Sequence, residues 1–122
     1  SDGRGAVKQA DCIFCRIVEG DITADVVRED DATLAFHDLD PRAPVHVLVI
    51  PKTHIGSVND VTTDHRDAMG ELFVAARAVA ERTGIAESGY RLVMNTGGNA
   101  GQSVGHVHLH VLGGRELRWP PG

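Results

Sequence analysis

The segment HVHLHVL at residues 106–112 constrains the fold more than any other stretch. Side chains along an extended strand alternate between faces, so His106, His108 and His110 share one face and Val107, Leu109 and Val111 the other. Three imidazoles in a row, backed by an aliphatic face, are not an ordinary core pattern. Further strands are expected at Val26–Arg28, Thr33–His37, Val45–Ile50 and Tyr90–Asn95. The first two flank the turn-prone Glu29-Asp30-Asp31 and form a hairpin; Pro41 and Pro44 precede the third, and Pro51 ends it. One long helix is expected over Thr63–Thr83. Leu72, Phe73, Ala76, Val79 and Ala80 mark its buried face, Asp64 and Asp67 favour its start, and Gly84 closes it. A short helix over Cys12–Glu19 stops at Gly20. Short connections make the sheet mostly antiparallel. The fold class is α+β, with about five strands.

A chain of 122 residues suits one domain. Residues 1–10, polar and without periodicity, are expected to be a flexible N-terminal arm, and 11–122 a single domain that includes the C-terminal tail. Hydrophobic residues at 42% and charged residues at 24% fit a soluble globular protein. Aromatics are only 4%, so the core must rest on Val, Leu, Ile and Ala. The net charge of −5 argues against nucleic-acid partners and anionic membrane surfaces. No apolar run reaches the roughly 20 residues of a membrane span. SDGRGAVKQA lacks the apolar stretch of a signal peptide, and Ser1 without a preceding Met is expected of a processed or an engineered end. Two cysteines are too few for a disulfide framework, so a reducing cytoplasm is the expected compartment.

The histidine strand admits two chemistries, metal ligation through His-x-His or nucleophilic catalysis by imidazole. The loop before it, TGGNAGQSVG, favours an anion. Gly97, Gly98, Gly101 and Gly105 let the backbone approach a ligand and turn N–H groups inward, and Gln102 and Ser103 add side-chain donors. The pair in DCIFC has three readings open: half of a zinc site, a redox pair, or two core thiols.

AGQSVGHVHLHVLGG resembles the motif of the histidine-triad (HIT) superfamily. AFHDLDPRAPVHVLVIPKTHI is similar to that family's upstream segment, and RELRWPPG resembles the tail of its Hint branch, the histidine-triad nucleotide-binding proteins. The likeness runs over roughly residues 11–122. It implies a HIT-like fold whose sheet continues across a homodimer. It also implies a hydrolase cleaving the P–N bond of purine nucleoside 5′-phosphoramidates through a covalent nucleotidyl-histidine, without a catalytic metal.

By the same resemblance His108 is the nucleophile, its other ring nitrogen held by a backbone carbonyl, and His110 holds phosphate oxygens with N–H groups of Ser103, Val104 and Gly105. Ser103 assists the leaving amine beside Gln102, Asn95 contacts phosphate, and His46 supports the nucleophile, with His106 completing the catalytic group. Asp38 receives both ribose hydroxyls, while Ile13, Phe14, Ile17, Phe36, His37 and Leu39 form the purine slot. Trp119 in the tail completes the dimer partner's nucleotide site, the alternative being a tail anchored to its own domain. Some bacterial members hold a structural zinc on the positions matching Cys12, Cys15, His54 and His106, a set that Hint-branch proteins with this tail commonly lack. His65 is expected to be a solvated surface residue, and Asp60 and Asp64 to be solvated or capping. Two rival functions remain at this level: a hydrolase using HVHLH as ligands of a catalytic metal, and a nucleotide-binding regulatory or scaffold protein with incidental turnover.

Overall fold

The computed structural model describes residues 9–122. The arm expected over residues 1–10 therefore falls outside the described residues as far as residue 8; Gln9 and Ala10 are exposed. Five strands form one antiparallel sheet, β1 (Val26–Glu29), β2 (Thr33–His37), β3 (Val45–Pro51), β4 (Tyr90–Val93) and β5 (Leu109–Gly113). Their order is β1-β2-β3-β5-β4. The β1–β2 turn forms because Asp30 Oδ1 accepts the backbone N–H groups of Ala32 and Thr33, both at 2.8 Å.

Helix α1 (Ile13–Val18) covers one face of the sheet and α2 (Arg66–Arg82) the other. Alternation along β3 separates two cores. Val47 and Val49 join Leu72, Ala76, Val79, Val107, Leu109 and Val111 on the α2 side. Leu48 and Ile50 join Phe14, Cys15, Leu34 and Phe36 on the α1 side. The aliphatic half of HVHLHVL thus packs on α2, and the imidazoles are left to the α1 face.

Several details depart from the sequence expectation. Strand β5 starts at Leu109, not His106: its register with β3 ends at the Val49–Leu109 pair, and Val107 N–H turns instead to Ile55 O at 2.7 Å. Pro51 has no N–H to offer a longer ladder, and its carbonyl meets the His106 ring at 2.9 Å. Strand β4 ends at Val93, so Asn95 lies beyond it. Thr63–His65 form a separate 3₁₀ turn before α2. The buried face of α2 is Leu72, Ala75, Ala76, Val79 and Ala80, at i, i+3, i+4, i+7 and i+8, while Phe73 is 53% exposed because one residue turns the helix by about 100°. His65 is not a solvated surface residue: it is half-buried and caps that turn, its Nδ1 accepting Thr62 N–H at 3.0 Å.

Candidate active site

Period-two alternation puts His46 on the same face as Leu48 and Ile50. The register pairs His46 with Leu112 and Leu48 with His110, so the two histidines are diagonal neighbours on adjacent strands. Their rings meet at 2.8 Å, His46 Nε2 to His110 Nδ1. His46 Nδ1 accepts the Arg42 backbone N–H at 3.0 Å. A backbone N–H only donates, so the neutral His46 carries its proton on Nε2 and gives it to His110 Nδ1. His110 in turn carries a proton on Nε2. Burial, the largest influence, together with neighbouring His108 and His46, pushes the His110 pKa down to about 4 against the opposing pull of Asp38. Burial likewise lowers the pKa of His46, again opposed by Asp38. Asp38 Oδ2 lies 3.3 Å from His46 Nε2, and Oδ1 accepts Asp40 N–H at 2.9 Å.

His108 is 4% exposed, with Phe14 edge-on at 5.2 Å and His110 at 5.1 Å between ring centroids. Its Nδ1 lies 2.7 Å from the backbone carbonyl of His106. A carbonyl only accepts, so the proton sits on Nδ1, and Nε2 keeps its lone pair. That is the tautomer a nucleophile needs.

His106 turns away from this pair. Its Nε2 donates to Pro51 O, and Nδ1 faces Cys12 Sγ at 3.3 Å and Cys15 Sγ at 3.6 Å. His54 Nδ1 meets Cys15 Sγ at 3.3 Å. The four ligand atoms all lie within 4.8 Å of one another. Tetrahedral zinc, with Zn–S about 2.3 Å and Zn–N about 2.0–2.1 Å, sets S···N edges of about 3.5 Å. The cluster therefore fits a closed two-thiolate, two-imidazole zinc site. Burial pushes the His106 pKa down to about 4, partly offset by the Pro51 carbonyl, which keeps the ring neutral as a ligand requires. The three triad rings do not converge on one ion: His106 belongs to the thiol cluster, His110 to the group with Asp38 and His46, and His108 to neither.

The Gly-rich loop is braced by Gln102. Oε1 accepts Gly97 N–H at 3.0 Å, and Nε2 donates to Gly56 O at 2.8 Å and Val104 O at 3.0 Å. Gln102 thus spends its amide donors on Val104 of the loop and on Gly56 beyond it, where the sequence suggests a ligand contact. Gly97 and Gly101 take positive φ values of 80° and 82°, which lets the turn close. Ser103 and Gly105 are exposed, and Val104 and Asn95 are half-buried.

The apolar positions divide. Phe14 and Phe36 are buried and pack edge to face at 5.7 Å, and Phe14 walls one side of His108. Ile17 lines a cavity of about 380 Å³ with Val18, Ile22, Ala24, Val26 and Leu34. Ile13 is 47% exposed, His37 is exposed, and Leu39 is 99% exposed. Trp119 is 81% exposed, on a tail whose Leu117 and Arg118 carbonyls are held by Arg91.

A family model described as HIT domain matches residues 19–117. The purine nucleoside phosphoramidase of Escherichia coli (strain K12) is 49% identical over 105 residues, 86% of this chain and 88% of that protein. Among solved structures, a HIT family hydrolase from Legionella pneumophila Philadelphia 1 superposes with a TM-score of 0.90 at 48% identity, covering 92% of this chain and all of that one (100%). A histidine triad protein from Clostridium difficile gives 0.89 at 40% identity, covering 92% and 97%. With that match and that geometry, the chain belongs to the HIT domain family.

Proposed function

We propose that this chain is a hydrolase that cleaves the P–N bond of purine nucleoside 5′-phosphoramidates through a nucleotidyl group carried on His108. The observation that carries the reading is the 2.7 Å contact between His108 Nδ1 and the His106 carbonyl, which puts the neutral ring's proton on Nδ1 and its lone pair on Nε2. The phosphoramidase relative is the second support.

His108 Nε2 attacks phosphorus and the P–N bond breaks. The departing amine takes a proton from solvent, relayed through the exposed Ser103 hydroxyl. Water then attacks the same phosphorus and gives one proton back to solvent, the P–Nε2 bond breaks, and the nucleoside monophosphate leaves with His108 restored. The His110 Nε2–H donates to a phosphate oxygen whose charge grows in both steps, alongside the N–H groups of Ser103, Val104 and Gly105. His46 holds His110 in that tautomer. Asn95 assists at phosphate, and Asp38 receives the ribose hydroxyls. The purine lies on the α1 side near Phe14, Phe36 and Ile17, with Ile13, His37 and Leu39 at its outer margin.

Cys12, Cys15, His54 and His106 would hold a zinc ion whose chemistry is structural, tying α1 to the chain that carries His108. A homodimer with a continuous sheet belongs to the same reading. Its supports are the terminal position of β4 in the sheet and the exposed Trp119 tethered to β4 through Arg91. No helix among the described residues is long and apolar enough to cross a membrane.

The test is steady-state turnover of adenosine 5′-phosphoramidate, following release of AMP. The wild-type chain is expected to turn over without added metal. His108→Ala is expected to lose at least about 10³-fold in kcat, the scale of losing a catalytic nucleophile. A His108→Ala variant with near wild-type kcat removes the proposal.

A further inference from the structure

The cysteine pair has a second chemistry that follows from its placement. Cys12 caps α1, and Cys15 lies in its first turn, with its backbone N–H 3.4 Å from Cys12 Sγ. The two sulfurs lie within 4.8 Å of each other and are not disulfide-bonded. A disulfide requires about 2.05 Å between sulfurs, a closure that side-chain rotation and a small shift of this short helix can supply. A cavity of about 290 Å³ lined by Gln9, Ala10, Arg16, Glu19 and Asp21 has Cys15 in its wall, so a small oxidant held there needs only a local opening to reach a residue that is itself 1% exposed. On the inner side both sulfurs face His106 Nδ1, at 3.3 and 3.6 Å. The carbonyl of that same His106 holds His108 Nδ1–H. One residue therefore joins the thiols to the proposed nucleophile.

We propose that Cys12 and Cys15 are a peroxide-oxidisable dithiol, and that its closure to a disulfide reversibly lowers turnover through His106, a positioning residue. The effect on turnover rests on the reading of His108 given above; the oxidation itself does not. One thiol sulfur attacks a peroxide oxygen, the O–O bond breaks, and hydroxide departs with the thiol proton as water, leaving a sulfenic acid. The second sulfur attacks the first, the S–S bond forms, the S–O bond breaks, and a second water leaves with the remaining proton. Two thiols are oxidised and one hydrogen peroxide is reduced to two waters. Drawing the sulfurs together takes them out of the positions that flank the rings of His106 and His54. His106 loses the two sulfurs that flank Nδ1 and keeps only its Nε2 bond to Pro51, so its ring re-seats about that bond and the carbonyl that orients His108 shifts with it. Because the metal ligand is the thiolate, oxidation and zinc loading exclude each other.

The experiment treats the full chain, as purified and after zinc saturation, with hydrogen peroxide and then with dithiothreitol. It reads intact mass, alkylatable thiols, the imidazole ¹H–¹⁵N spectrum and turnover of adenosine 5′-phosphoramidate. The expected result is a loss of about 2 Da and of both alkylatable thiols. With it come altered His106 and His108 ring signals and a fall in turnover of about 10-fold, the scale seen when the support of a site residue is disturbed. Dithiothreitol reverses all four changes, and zinc saturation slows them. Mass gains of about 16 Da without a disulfide overturn the proposal. A disulfide that leaves the ring signals and turnover unchanged overturns the coupling through His106. In Cys12→Ser, compared with its own untreated activity, the reversible loss is expected to vanish, and its persistence there also overturns the proposal. Reduced protein without turnover counts against nucleotidyl transfer alone, because the mass and imaging of the rings by NMR still report the oxidation and its reach.

Discussion

His46 Nε2 and His110 Nδ1 lie 2.8 Å apart, and the Arg42 backbone N–H at 3.0 Å decides which of them donates. With His46 Nδ1 occupied as an acceptor, the proton chain runs one way, from His46 to His110, and leaves His110 with an N–H on its far nitrogen. His110→Ala removes that donor and is expected to lower kcat on adenosine 5′-phosphoramidate by about 10², the scale of losing one donor to a developing oxyanion. His46→Ala keeps the donor but frees the tautomer, so its loss should be smaller, about 10-fold. Equal losses in the two variants would contradict the assigned direction.

Acid should weaken the fold through the same pair. The unfolded chain protonates His110 near its ordinary pKa of about 6.5, while burial beside His108 and His46 holds it at about 4 in the folded state. Below about 6.5 the unfolded state thus binds more protons, so stability is full above that pH and is lost as pH falls towards 4. His46, also lowered, acts in the same direction. Urea midpoints are expected to fall between pH 7 and pH 5, and less steeply in His110→Asn. An unchanged slope in that variant would remove His110 as a contributor.

Zinc supplied to the metal-free chain should bind once per chain and raise the melting temperature. Ligand binding at about 1,000 times Kd stabilises by about 4 kcal/mol. Cys15→Ala and His54→Ala are each expected to lose most of the bound metal on dialysis, measured by elemental analysis. Retained full stoichiometry in both would show that the ion sits elsewhere.

Gln102→Ala removes three hydrogen bonds that hold the Gly-rich loop to itself and to Gly56. Leaving partly buried partners unsatisfied costs about 1–3 kcal/mol, to be read in urea unfolding. Turnover should fall with it, because the N–H groups of Ser103 to Gly105 lose their frame. A stable variant with weakened substrate binding would instead mark Gln102 as a ligand contact.

Much of this arrangement was legible in the chain. The alternation of HVHLHVL assigned imidazoles and aliphatics to opposite faces, and the structure keeps that division with Val107, Leu109 and Val111 under α2. Period two describes any extended segment, however, so it could not tell that the ladder begins only at Leu109. That depends on where Pro51 ends β3 and on Ile55 offering its carbonyl to Val107, a contact between residues far apart in sequence. Phe73 differs for another reason: it adjoins Leu72 in sequence, but one step along the helix turns it out to solvent. The bracing role of Gln102 was hidden as well, because its partner Gly56 lies 46 positions away.

The central claim is that phosphorus is attacked twice, first by His108 and then by water. Each in-line displacement inverts configuration, so two give net retention. The most direct measurement is hydrolysis of one phosphorus diastereomer of a sulfur-substituted adenosine 5′-phosphoramidate in ¹⁸O-labelled water, followed by the configuration of the labelled product. Retention is the predicted result. Inversion would mean that water attacks the substrate directly and that His108 never carries the nucleotide.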